Sequence, residues 1–203
     1  MKSIFARMTW PWQRGSLHVY ALPDPALRAA LVPFHEPIEA VSFCAVQPPE
    51  FLHATVTRFP WFLADPTVPP VEQVTAAVAE VVTAMTPFTV ELGRPEITEY
   101  GVVVDAPAVS AWDGLVDGVR AVATALDPGR PLPNRPYRPH VSVGYGVADG
   151  DGELLQGRLD AIPAATPFRM HVAEVHLLSV HQEPERGIFS WDPIAVLPLG
   201  GGG

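Results

Sequence analysis

The chain has 203 residues, a formal net charge of −9 and one cysteine, Cys44. Hydrophobic residues make up 48% of it and charged residues 17%, a balance typical of a globular protein and not of a disordered one. One cysteine excludes an intrachain disulfide, and the negative charge argues against binding to duplex DNA, where phosphate neutralisation dominates affinity. Residues 1–14 lack the apolar stretch of a signal peptide and no apolar run could span a bilayer, so we expect a cytoplasmic protein without a membrane partner.

Hydrophobic periodicity predicts strands and helices mixed along the first two thirds of the chain. Asp24 followed by Pro25 is typical of a helix N-terminus. The predicted elements are a strand over 16–23, a helix over 25–31, apolar extended runs over 41–46 and 51–59, a helix over 71–85, an antiparallel strand pair over 88–92 and 100–105 joined through residues 93–95, and a helix over 111–126.

The last third continues in the same way after a proline-rich loop. The predicted elements are a loop over 127–139, a strand over 140–145, a helix over 152–162, strands over 168–180 and 188–199, and a disordered glycine tail over 200–203. We expect residues 1–15 to form an N-terminal extension and residues 16–199 a single domain.

Two short histidine motifs, His53-Ala-Thr55-Val and His140-Val-Ser142-Val, open the predicted strands at 51–59 and 140–145. Side chains two places apart in a strand share a face, so each motif presents an imidazole beside a hydroxyl and turns its apolar residues into the core. Two such strands facing each other would place two proton-transfer groups and two hydroxyl donors around one anionic atom. That arrangement suits phosphodiester chemistry without a metal.

The order of elements after the two motifs is similar, which suggests a degenerate duplication. A helix, a strand pair and a second helix follow His53, and a helix and two strands follow His140. We therefore expect an α+β fold with two pseudo-symmetric lobes, two mainly antiparallel sheets flanked by helices, and a central cleft between the lobes. Such clefts commonly bind ligands.

The two motifs resemble those of the 2H phosphoesterase superfamily, including RNA 2′,3′-cyclic phosphodiesterases labelled 2′-5′ RNA ligases. The strand at 16–23, the helix at 25–31 and the segment from Tyr137 to Val143 are similar to the corresponding family segments. The resemblance implies a bilobal fold and a metal-independent, cofactor-free phosphodiesterase that uses its two histidines as acid and base. It also implies His53, His140, Thr55 and Ser142 as catalytic residues.

For a 2′,3′-cyclic phosphate on a nucleotide or RNA end, we expect His140 to act as the base and His53 as the acid, although the symmetry allows the reverse. Many RNA-type members carry an arginine five residues after the second histidine, where this chain has Tyr145. Arg58 or Arg138 would then supply the charge that binds substrate, and Tyr145 and Tyr137 would contact a base or ribose.

Three alternatives remain at this point. One is a nucleotide-binding or phosphate-binding module on the same fold without turnover, and another is a 2′-5′ RNA ligase activity. The third is an interaction protein that uses the proline-rich loop over 127–139 as its surface. We expect a monomer. The arginines at 130 and 135, which lie in the proline-rich loop before His140, belong either to a phosphate site or to a solvated loop.

Overall fold

The structure is a computed structural model that describes residues 1–136, 138–164 and 166–200. Within these ranges ten β-strands and six α-helices follow one another, with short 3₁₀ turns at Val32–Phe34 and Pro49–Phe51. The elements are α1 (Ile4–Arg7), β1 (Ser16–Ala21), α2 (Pro25–Leu31), α3 (His35–Glu39), β2 (Cys44–Val46), β3 (Ala54–Phe62), α4 (Val71–Thr83), β4 (Phe88–Leu92), β5 (Pro95–Ile97), β6 (Gly101–Asp105), α5 (Ser110–Leu126), β7 (His140–Gly146), α6 (Gly152–Asp160), β8 (Phe168–Val172), β9 (Glu174–Glu183) and β10 (Ile188–Pro198).

Eight of the strands form one antiparallel sheet in the order β10-β9-β1-β3-β7-β6-β5, with β2 also paired to β7. β4 and β8 form a separate antiparallel pair. The predicted α+β class, with antiparallel sheets flanked by helices, is confirmed. The large sheet divides into a half that ends at β3 and a half that begins at β7, and the two halves meet at one register pair, Ala54 with Val141.

The buried residues explain why α4 and α5 pack against this sheet. α4 buries Val74, Val78 and Val82, and α5 buries a stripe that includes Trp112, Leu115 and Val119. Both stripes recur at helical spacing, and α4 contacts β10 and α5 while α5 contacts β3. The apolar side of the motif strands faces this core, because Ala54, Val56, Val141 and Val143 are all fully buried in it. The prediction that these four residues turn into the core is confirmed.

Two strand predictions are wrong, one in its pairing and one in its continuity. Residues 88–92 do not pair with 100–105, because β4 pairs with β8 while β6 pairs with β5 and β7. The predicted single strand over 168–180 is interrupted at Ala173, where the chain leaves the β4–β8 pair and enters the large sheet. A run of alternating residues specifies a strand but not its partner, so these pairings depended on contacts distant in sequence.

Residues 1–15, named here the N-terminal strap, fold against both halves of the sheet. The backbone N–H of Lys2 donates to Glu99 O at 2.7 Å, and the Gln182 side-chain amide donates to Met8 O at 2.9 Å. The N–H of Gly15 donates to His181 Nδ1 at 3.1 Å. The strap is therefore fixed at its two ends to different halves of the protein.

Among the described helices none is long and apolar enough to cross a membrane.

The predicted disorder of the glycine tail falls largely on residues 201–203, which lie outside the described residues.

Neighbouring leucines on α6 provide a matched test of the core. Leu155 is fully buried, whereas Leu154 is 55% exposed. We expect Leu155→Ala to lower the free energy of unfolding by about 2–5 kcal/mol, because it leaves a cavity. Leu154→Ala is expected to change it by less than about 0.5 kcal/mol, as surface substitutions do. Urea denaturation of both variants measures the difference, and equal losses would contradict the packing described for α6.

Candidate active site

A cleft of about 770 Å³ lies over the junction between β3 and β7, on the side of the sheet away from the core. Its lining includes all four motif residues, His53, Thr55, His140 and Ser142. Each histidine immediately precedes one member of the Ala54–Val141 register pair. The two imidazoles therefore flank the junction, and they are close enough for His140 to lower the pKa of His53.

The two imidazoles are held in the same way. His53 Nδ1–H donates to the carbonyl oxygen of Phe51 at 2.9 Å, and His140 Nδ1–H donates to the carbonyl oxygen of Arg138 at 2.9 Å. A carbonyl oxygen only accepts hydrogen bonds, so these contacts assign the proton of each neutral ring to Nδ1. The Nε2 atom of each ring is then the nitrogen that can take up or release a proton.

The two motif hydroxyls also have matching surroundings. Tyr20 is the register partner of Thr55 on the neighbouring strand, and Tyr145 lies close to Ser142, so each motif hydroxyl has a phenol beside it. Burial raises the pKa of Tyr145 to about 12 and that of Tyr20 well above its usual value. Both phenols are therefore neutral near pH 7 and place an uncharged polar group beside each motif hydroxyl.

Aromatic rings enclose His53. Tyr20 stacks on its imidazole with ring centroids 4.0 Å apart, and Trp191 meets it edge-on at 5.2 Å. Because His53 is buried, desolvation of the charged form lowers its pKa to about 4, despite the opposing effect of the hydrogen bond to Phe51 O. The histidine is neutral near pH 7.

His140 has a more polar setting. Asp105 on β6 is its register partner, and the Asp105 carboxylate also forms an ion pair with Arg138. Burial and the positive charge of Arg138 lower the pKa of His140, while the Arg138 carbonyl contact and the nearby Asp105 charge act in the opposite direction. Among the described residues no carboxylate raises the pKa of His53 in this way, so the two histidines differ in their surroundings although their backbone contacts match.

The remaining predicted substrate-binding residues are distributed unequally. Arg58 lines the cleft with its guanidinium 5.9 Å from the centroid of the Trp10 ring. Arg138 is not among the described residues that line the cleft and pairs with Asp105. Tyr145 lies in the cleft wall, in edge contact with Phe5 and Phe189, and Tyr137 lies outside the described residues.

The loop arginines have structural partners. Arg130 pairs with Asp65, and Arg135 pairs with Asp113 at 2.8 Å and with Asp117 at 2.9 Å. These ion pairs attach the proline-rich loop to the body of the protein. They favour the solvated-loop interpretation over a phosphate site for both arginines.

Several residues that line the cleft lie outside the predicted set of site residues. The N-terminal strap contributes Arg7 and Trp10, β1 contributes His18 and Tyr20, and β10 contributes Phe189. The alternation in β1 could have identified His18 and Tyr20, since they are two residues apart on one face. Nothing in the local pattern of the strap indicates that it crosses the cleft. Among the described residues, no group of three or more His, Cys, Asp or Glu side chains could hold a metal ion.

Comparisons of the whole fold identify similar solved structures. TT0787 of Thermus thermophilus has a TM-score of 0.68 and 20% identity, with 92% of this chain and 100% of that chain covered. E. coli LigT complexed with 3′-AMP has a TM-score of 0.66 and 16% identity, with 92% and 98% covered. Usb1 of Kluyveromyces marxianus has a TM-score of 0.50 and 16% identity, with the same coverage. These similarities show the fold.

The sequence provides independent evidence of the family. No curated protein sequence is significantly similar to this chain. A family model, described as the 2′-5′ RNA ligase superfamily, matches residues 28–184 and so includes both histidine motifs. Since that match covers well over half of the chain, the protein belongs to the 2′-5′ RNA ligase superfamily of 2H phosphoesterases.

Proposed function

We propose that the protein is a metal-independent phosphodiesterase that hydrolyses a 2′,3′-cyclic phosphate, or a related phosphodiester, on a nucleotide or an RNA end. The observation that supports this most directly is the pair of imidazoles, each held through Nδ1 with its motif hydroxyl nearby, around one cleft. The family supports phosphodiesterase-type chemistry in general. The complexes of E. coli LigT with 3′-AMP and with ATP support a nucleotide-sized ligand. A monomer acting in the cytoplasm is part of the proposal.

The reaction needs two proton transfers. A base removes a proton from water as its oxygen attacks phosphorus, and an acid protonates the ribose oxygen as its bond to phosphorus breaks. Histidine can perform either step, and each typically contributes about 10²–10⁴ in rate. Thr55 and Ser142 donate hydrogen bonds to the non-bridging oxygens, where negative charge increases in the transition state. The products are a phosphomonoester and a hydroxyl on the same ribose, and solvent then returns each histidine to its starting state.

The surroundings of the histidines favour His53 as the base and His140 as the acid, the reverse of the assignment expected from sequence. A pKa of about 4 keeps His53 unprotonated and able to accept a proton from water. Burial and the Arg138 charge lower the pKa of His140, but the Asp105 carboxylate opposes this shift and favours the protonated form that an acid needs. The carboxylate beside one histidine and not the other supports this assignment of roles.

Removal of either histidine tests the mechanism. We expect His53→Ala and His140→Ala each to lower kcat/KM for 2′,3′-cyclic AMP by at least about 100-fold, because each removes one proton transfer. The measurement is hydrolysis by the wild type and both variants in the presence of EDTA. His171→Ala is the matched control, since His171 is exposed on β8 and contacts Thr89, away from the cleft.

Three outcomes of this assay contradict parts of the proposal. Activity that survives in either variant would remove that histidine from the mechanism. Loss of wild-type activity on addition of EDTA would contradict the metal-independent reaction. Binding of 2′,3′-cyclic AMP without turnover by the wild type would favour the binding module instead.

The dependence of kcat/KM on pH tests the assignment of roles. If His53 is the base, activity rises with pH through about 4, where His53 loses its proton. If His140 is the acid, activity falls as pH rises through the pKa of His140, which lies below its usual value. We therefore expect a bell-shaped profile with its optimum on the acidic side of about pH 6.5, the ordinary histidine pKa.

Asp105→Asn distinguishes the two assignments. Loss of the carboxylate lowers the pKa of His140, so we expect the descending limb of the profile to move to lower pH while the ascending limb stays in place. Movement of the ascending limb alone would instead identify His140 as the base. Asp117→Asn is the control, because Asp117 is exposed and pairs with Arg135 outside the cleft.

A further inference from the structure

We propose that the cleft contains a second anion subsite, formed by Arg58 and Trp10, which binds the phosphate on the 5′ side of the reacting nucleotide. This inference rests on the proposed function and specifies its substrate class. A 2′,3′-cyclic phosphate ends the chain on the 3′ side, so any further phosphate of such a substrate is attached through the 5′ oxygen. That phosphate is either a 5′-monophosphate or the link to a preceding nucleotide.

Arg58 places a positive charge in the cleft. Its guanidinium is half-buried in the cleft, and no carboxylate of the described residues forms an ion pair with it. The guanidinium instead faces the ring of Trp10 in a cation–π contact. A partly buried cation without a counter-charge is costly unless a ligand supplies one. Although the chain has a net charge of −9, the positive charge of Arg58 makes this part of the cleft favourable for an anion.

The surroundings of Trp10 distinguish an anion site from a base-stacking site. The indole is enclosed by the rings of His18 at 5.5 Å, Phe62 at 5.8 Å and Phe189 at 5.8 Å, in addition to Arg58. Little of its surface is left for a nucleobase. Its Nε1–H is buried without a hydrogen-bond partner among the described residues. An indole N–H is a donor only, so the unmet capacity at this wall suits an acceptor such as a phosphate oxygen.

The position of Arg58 separates this subsite from the reacting phosphate. The rings of His18 and Tyr20 lie between Trp10 and His53, with successive centroid distances of 5.5, 5.2 and 4.0 Å. Along β3, Arg58 follows Thr55 by three residues, which corresponds to roughly 10 Å of strand. The backbone of Arg58 is therefore displaced along β3 from that of Thr55, and its guanidinium lies at the end of the cleft that Trp10 bounds.

A second cavity shows where a longer substrate would continue. This groove, of about 400 Å³, shares Thr9, Trp10, Arg58 and Pro133 with the cleft. Arg58 thus stands where the two cavities meet. Beyond it the groove is lined by prolines and by Arg130, whose charge is paired with Asp65. A phosphate at Arg58 can therefore carry either a terminal group or a further nucleotide without meeting a closed wall.

Three adenosine substrates test the subsite. They are 2′,3′-cyclic AMP, its 5′-phosphorylated form, and the dinucleotide ApA with a 2′,3′-cyclic phosphate. For the wild type we expect the 5′-phosphate or the internucleotide phosphate to raise kcat/KM by at least tenfold, mainly through a lower KM. The gain is the ratio of kcat/KM with the second phosphate to kcat/KM without it. In Arg58→Gln and Trp10→Phe we expect this ratio to fall at least threefold. Arg58→Lys should retain more of the gain than Arg58→Gln. A gain from only one of the two phosphates supports the subsite and identifies its source.

Matched controls come from the same region. Trp12→Phe changes an exposed tryptophan of the strap that contacts Phe62 and does not line the cleft, so the ratio should be unchanged. Arg7→Gln removes the other arginine that lines the cleft. If Arg7→Gln removes the gain in kcat/KM that the second phosphate gives, and Arg58→Gln does not, the second phosphate binds elsewhere and the proposal is overturned. Circular dichroism verifies that each variant is folded.

The experiment separates this inference from the proposed function. Equal kcat/KM for all three substrates would overturn the subsite while the phosphodiesterase stands. If none is hydrolysed, the phosphodiesterase fails, and calorimetric affinities for 3′-AMP and adenosine 3′,5′-bisphosphate then test the subsite directly. A preference for the bisphosphate that is lost in Arg58→Gln supports the subsite, and equal affinities overturn it.

Discussion

The site depends on a single register pair, Ala54 with Val141, which joins the two halves of the large sheet. Side chains alternate along a strand, so this pair fixes which side of the sheet receives each motif residue. A slip of one residue would turn Thr55 or Ser142 into the core and expose the valines next to them. The register is held because Ala54 and Val141 are fully buried against the helices that cover the other face. Core packing on one side thus positions the chemistry on the other.

The pseudo-symmetry of the site is kept in its hydrogen bonds and broken in its charges. Both imidazoles donate to the carbonyl two residues earlier, and both motif hydroxyls meet a tyrosine. The difference comes from neighbours outside the motifs. Tyr20 encloses His53 in an apolar setting, whereas Asp105 places a carboxylate beside His140. A pseudo-symmetric framework therefore supplies two equivalent groups, and unequal surroundings give them unequal proton affinities.

The N-terminal strap links the two halves at the edge of the cleft. Phe5 stacks on Phe189 from β10 and meets the edge of Tyr145 from β7, so one aromatic cluster contacts both halves. Tyr145 accordingly packs against this cluster in addition to lying beside Ser142. Trp10 completes the same cluster and bounds the part of the cleft that contains Arg58. The strap thereby shapes the cleft around a charge that lies on the motif strand itself.

The sequence by itself determined most of the helices and strands and the motif side chains that face the cleft. Periodicity is a local property, so the helix at Pro25–Leu31 with its Asp24 cap and the burial of Val56 and Val143 could be predicted from neighbouring residues alone. The family resemblance, which rests on the two motifs, gave the bilobal α+β fold. The tertiary structure decided three further features. They are the pairing of β4 with β8, the ion pair that holds Arg138 outside the cleft lining, and the course of the strap. Each of these joins residues far apart in the chain, and their energies come from burial and charge in the assembled fold, which local patterns do not contain.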